Sequence, residues 1–176
     1  MDDIPDIPDI LDILDIPDIP EYLRTQYLIQ QIKEYKIIFT NIPKEYINEL
    51  ICLETVKIHG YILKFVPDNL KTEQICLEAI KKSGNVIEFV PERFRNEQMC
   101  LLAVKQYGSA LNFVPDNIIT EQMCLLAVKK YGRALKFVPD NIITEQICLE
   151  AIKDGGSALD FVPERFKNKM PPTLHR

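Results

Sequence analysis

The sequence predicts an all-α protein, an α-solenoid of tandem 24-residue helix–turn–short-helix repeats. Three observations predict it. The ten residues from Phe113 to Gln122 recur unchanged from Phe137 to Gln146, and related versions begin at Phe65, Phe89 and Phe161, always 24 residues apart. The five cysteines (Cys52, Cys76, Cys100, Cys124 and Cys148) keep the same step. Within a unit, Met99, Cys100, Ala103 and Val104, with Leu101 and Leu102 beside them, form a broad helical stripe and no strand alternation.

Composition sets the class. An apolar fraction of 47% is ordinary for a folded chain. No run of about 18 apolar residues offers a transmembrane helix, so no membrane association is expected. The start, Met1-Asp2-Asp3, lacks the zones of a signal peptide, which leads us to expect an intracellular, cytoplasmic location. Residues 1–20 hold seven aspartates and no base, so the net charge of −5 conceals a repeat region with 21 bases against 19 acids. A region so nearly neutral gives bulk electrostatics little hold on nucleic acid, and none is expected as a partner.

In order, the chain divides into four parts. Residues 1–20 read as a disordered acidic tail of Asp-Ile-Pro and Asp-Ile-Leu triplets. Their period of three matches polyproline II, and the prolines forbid a regular helix. Residues 21–42 read as a degenerate N-terminal capping repeat, with Ile42-Pro43 standing where Val-Pro stands later. Residues 43–168 are the tandem helical repeats. Residues 169–176 read as a disordered C-terminal tail, because Pro171 and Pro172 stop the helix that would follow.

Residues 91–114 illustrate one unit. Asn96 is an N-cap candidate, and Thr72, Thr120 and Thr144 hold the same position. Glu97 then suits the helix N-terminus and Lys105 the last turn. This spacing predicts a first helix of about 11 residues. Gly108 stands where a left-handed C′ residue would end it. Ser109 is then expected to cap a short second helix from Ala110 to Val114, halted by Pro115, and residues 115–118 read as a turn. A hairpin of this size cannot bury its own stripe, so the units must stack. The cysteines, each between an aliphatic or Met residue and a leucine, read as small core residues. A ladder of one thiol per unit does not converge on a metal, so neither a metal nor a cofactor is expected.

Ala103-Val104-Lys105-Gln106-Tyr107-Gly108-Ser109-Ala110-Leu111-Asn112-Phe113 resembles the Ala-Val-x-x-x-Gly-x-Ala-Leu-x-aromatic core of domain-of-unknown-function family 4116. The same core stands at 127–137 and, with Ile for Val, at 151–161. The resemblance covers residues 43–168 and implies a repetitive protein with no assigned activity. The sequence departs from that pattern in its Val-Pro after the aromatic and in the cysteine of the first helix.

No catalytic constellation is expected, since repetition sets like groups side by side while an active site needs unlike groups at one point. His59 has no nucleophile or second histidine at matching spacing. The leading expectation is a non-enzymatic protein–protein interaction scaffold whose partner the sequence does not name; the alternative is a structural or self-associating repeat protein. The variable positions cluster around the turn between the two helices. The candidate partner-binding residues there are Tyr107, Tyr131, Lys82, Gln106, Lys130 and Arg133, with the two tyrosines as the leading anchors.

Overall fold

The computed structural model describes residues 19–35, 37–153 and 157–171. The acidic stretch through residue 18, Lys36, residues 154–156 and the last five residues lie outside that set, and so do the expectations placed on them. The described residues hold helices and turns and no strand. The α-helices are α1 (Glu21–Lys33), α2 (Glu49–Ile58), α3 (Glu73–Lys82), α4 (Glu97–Gln106), α5 (Glu121–Lys130), α6 (Glu145–Ala151) and α7 (Glu164–Lys167).

The N-caps fall where the residue types predict. Asn48, Thr72, Asn96, Thr120 and Thr144 each accept, through the side chain, from the amide three residues on. Each answers one of the amides that a helix start leaves without a partner. The helices α2 to α5 run ten residues, close to the length expected. Each is followed by a 3-10 helix, Gly60–Phe65, Gly84–Phe89, Gly108–Phe113 and Gly132–Phe137 in turn. A one-turn 3-10 helix then follows the proline in the first three of these units, as in Asp116–Ile118.

The larger contacts between elements run within one repeat or to the next. From α1 to α6 each α-helix packs on the following one, and the 3-10 helix after each of α2 to α5 packs on the following α-helix and 3-10 helix. Two parallel layers result, with one continuous core between them. In α4 that core takes Met99, Cys100, Ala103 and Val104; from the 3-10 layer it takes Ala110, Leu111 and Val114. A chain stacked in this way is a helical-repeat solenoid, as the periodicity predicts.

Two local expectations are corrected. The second helix is not capped by Ser109: it is a 3-10 helix that starts at Gly108, has no side-chain cap, and ends before Val114. Its brevity suits 3-10 geometry, which closes a bond with one residue fewer. The glycine is not a left-handed C′ residue either. Among the described residues the only positive φ outside glycine is at Tyr35, and none of Gly60, Gly84, Gly108 and Gly132 takes a positive φ. The glycine serves close approach instead. A methyl group on Gly60 would lie 2.5 Å from the Ala79 carbonyl oxygen, and one on Gly84 would lie 2.8 Å from that of Ala103. Gly108 and Gly132 face Ala127 and Ala151 in the same way. The 3-10 helix of one unit therefore rests directly on the backbone of the next α-helix.

The ends differ from the middle. α1, of 13 residues, buries Leu28, Ile29 and Ile32. It is stitched to α2 by the Asn48 amide, which donates to the Thr25 hydroxyl at 2.8 Å. At the other end α6 has seven residues and α7 four. The chain stays on the stack beyond the expected boundary at residue 168: Met170 is buried and Lys169 Nζ donates to Glu145 at 2.5 Å. Residues 169 and 170 thus pack on the array.

Candidate functional site

The turn edge is built by backbone geometry. Each of α2 to α5 ends in an extended C-cap residue, such as Tyr107 (φ −133, ψ 110) and Tyr131 (φ −153, ψ 98). Its amide still donates into the helix, Tyr107 to Ala103 at 2.8 Å and Tyr131 to Ala127 at 2.9 Å. The extended bend turns the chain sharply into the 3-10 helix and leaves the side chain outside both. His59, Ser83, Tyr107 and Tyr131 occupy this position, and Tyr35 stands in the same register before them. The Tyr35 ring packs against His59 with centroids 5.7 Å apart.

The candidate residues separate on this edge. Tyr107 and Tyr131 are 46% and 42% exposed on successive repeats. They are close neighbours, since Tyr131 adjoins Gly108, the residue that follows Tyr107. Lys130 ends α5 and is exposed beside them. Arg133 is exposed too, its guanidinium 5.3 Å from the centre of the Phe161 ring. Lys82 is exposed two repeats away, with its stem against Gly60. Gln106 turns inward instead. Its carbonyl oxygen accepts from the Gly84 amide at 2.8 Å and its amide donates to the Ile80 carbonyl at 2.9 Å. It joins two repeats and is not held out to solvent.

Other residues on this surface escaped sequence reasoning. Tyr61 and Phe65 are 47% and 45% exposed, and Tyr61 meets Phe89 edge-on at 5.4 Å. Lys64 Nζ stands 5.8 Å from each of these three rings, within cation–π range. Tyr61 and Arg133 share one register position, and each covers the Phe of the following repeat. That offset of 28 residues was the available signal. Arg95 was missed as well: it donates to the carbonyls of Val90 (2.9 Å) and Phe113 (3.1 Å), closing the end of two successive 3-10 helices.

The five thiols are free and buried. Burial pushes Cys52 up to about 12 and Cys76, Cys100 and Cys124 up to about 11, and raises Cys148 as well. They act as apolar packing groups. Among the described residues no three His, Cys, Asp or Glu side chains group as metal ligands, and no helix is long and apolar enough to cross a membrane.

These features define a class, the helical-repeat proteins whose like units stack on one another. Comparison with known families then places the chain. The model of the family described as Domain of unknown function (DUF4116) matches residues 48–95, 72–119 and 96–143. Each match spans two structural units and advances by one. The chain belongs to this family. No curated protein and no solved structure matches it.

Proposed function

We propose that the chain is a non-enzymatic scaffold that binds a protein partner along the edge where each α-helix bends into its 3-10 helix. One observation carries this reading: Tyr107 and Tyr131 stand nearly half exposed on adjacent repeats, above a core that fixes both backbones. Exposed tyrosine supplies large contact area at a small entropy cost, and Lys130 and Arg133 add charge beside it. A binding role rather than catalysis is supported by the thiols, which are buried and held protonated, and by the repetition of like groups. Five unpaired cysteines also suit a reducing compartment, and we place the protein in the cytoplasm.

The test compares the wild-type chain with Tyr107→Ala/Tyr131→Ala as bait in source-cell lysate, read by quantitative mass spectrometry. Circular dichroism melts run alongside. A stoichiometric partner depleted ~10-fold or more by the double variant, with the melt unchanged, supports the reading. A melt that falls together with binding makes the tyrosines part of the packing and removes the site. A partner retained in full moves recognition to another surface.

A further inference from the structure

One register position on the outer face of the α-helices breaks its own pattern. Glu54, Glu78 and Glu150 hold it in α2, α3 and α6, and each accepts from the lysine three residues on. Lys57 and Lys81 make this bond at 2.7 Å, and Lys153 makes it with Glu150. In α4 and α5 the position holds Leu102 and Leu126. The change has two effects. Lys105 and Lys129 are exposed and form no ion pair among the described residues. The two leucines, half-buried and each preceded by another leucine, make an apolar strip across two successive helices. Next to Lys129, Leu125 and Leu126 line a groove of about 220 Å³ between α5 and α6, which Gln122 and the Lys153-bonded carboxylate of Glu150 also line.

We propose that this two-repeat surface binds residues 9–14 of a second copy of the chain. The chemistry is complementary. Residues 3–20 comprise six triplets that begin Asp-Ile, four ending in proline and two in leucine. The two leucine triplets are Asp9-Ile10-Leu11 and Asp12-Ile13-Leu14. Two acidic, aliphatic triplets thus meet two helices that have each lost an acid and gained a leucine. The spacing is complementary too. A polyproline II strand advances ~9.3 Å in three residues, and packed helices lie ~8–10 Å apart. A strand laid across α4 and α5 therefore brings one aspartate to each free lysine and one Ile-Leu pair to each leucine pair. Groove docking of an extended segment, here one flanked by Pro8 and Pro17, is a known mode of peptide recognition.

The chain's own segment would have to be drawn taut to reach. The seven residues from Asp12 to Ile19 span at most ~25 Å. α4 stands three helix spacings from α1, ~24–30 Å. Lys105 is also at the far end of its helix from the end at which the chain enters α1, ~15 Å further along the axis. The backbone diagonal, ~28–34 Å, is longer than the tether, and lysine and aspartate side chains close the difference only with the tether drawn straight, so the segment of another copy docks at lower cost. This surface lies on the outer helix layer and adjoins the tyrosine edge at Lys105 and Lys129, but its variants alter neither tyrosine, so the two readings are tested separately.

Sedimentation of the full chain across a concentration series tests it, with two full-length variants. Leu102→Glu/Leu126→Glu installs the residue that α2, α3 and α6 already carry, so the fold is kept. Ile10→Ser/Ile13→Ser alters the segment. The wild type is expected to associate, each variant to do so at least ~10-fold more weakly, and an equimolar mixture of the two variants more tightly than either alone. A labelled peptide of residues 3–18 is expected to bind the Ile10→Ser/Ile13→Ser chain ~10-fold or more tightly than a peptide of the same composition with the triplets scrambled. A wild-type chain that stays monomeric overturns the proposal. So does association that Leu102→Glu/Leu126→Glu leaves unchanged, and so does equal binding of the scrambled peptide.

Discussion

Replacing Gly60 with alanine probes the contact that sets the spacing of the stack. The added methyl would lie 2.5 Å from the Ala79 carbonyl oxygen and 2.9 Å from Lys82 Cβ. Ordinary non-bonded contact begins near ~3.5 Å, so the methyl is about 1 Å too close to the backbone of the next helix. A backbone oxygen cannot swing aside, so one repeat must move against its neighbour. Overpacking of this kind costs ~1–3 kcal/mol. The reduced freedom of the unfolded chain returns ~0.4–1 kcal/mol, which leaves a net loss of up to ~2.6 kcal/mol, about 1.3 kcal/mol at the middle of both ranges. In urea the midpoint should fall by about 0.5–1 M, read by circular dichroism with the slope fitted freely. A second substitution separates close approach from turn conformation. Asparagine tolerates the left-handed region better than alanine does, but it is larger. Crowding predicts that Gly60→Asn is worse than Gly60→Ala, whereas a left-handed cap predicts the reverse order. An unchanged or raised midpoint in Gly60→Ala would refute the argument, as would an asparagine variant more stable than the alanine one.

Three further outcomes follow from the same structure. The thiols have raised values because burial opposes the thiolate, so their contribution to stability is complete below about 9 and is lost as pH climbs toward 11 to 12. Urea midpoints should therefore fall steadily above pH 9, and five Cys→Ala or Cys→Val replacements should flatten that decline. The native chain should leave a thiol-reactive dye almost unconsumed at pH 8, with all five groups reacting in denaturant; rapid labelling of the native chain would count against core packing. Gln106→Ala strips partners from the Gly84 amide and the Ile80 carbonyl and should cost ~1–2 kcal/mol, with faster hydrogen exchange at Gly84 as the specific sign.

The repeat, its phase and its core were legible in the sequence because they depend on local spacing. Cap residues announce themselves by type, and Asn96 and Thr120 bond as their side chains dictate. Periodic small and aliphatic residues likewise found the core in Cys100, Ala103 and Val104. What was not legible depends on a neighbour in space. The glycine was read as a turn residue because its local surroundings suit one; its actual constraint is the carbonyl of a residue 19 positions away. Gln106 looked like a variable, solvent-facing position, since lysine replaces it in the units on either side. Only the proximity of the Gly84 amide, 22 positions back, draws it inward. Arg95 escaped for the same reason, as its acceptor at Phe113 lies in the following 3-10 helix. The broken glutamate series at Leu102 and Leu126 was in plain view, yet it acquires meaning only once the lysine it leaves behind is seen to lack a partner.

The unequal ends of the stack give it a direction of wear. A 13-residue helix, tied down by the Asn48–Thr25 bond, closes one side, while helices of seven and four residues close the other. Because each unit leans mainly on its immediate neighbours, losing the last one exposes the next without disturbing those further in. Limited digestion should therefore shorten the chain from its C-terminal side in steps of one unit. The resulting ladder of fragments would share a single start.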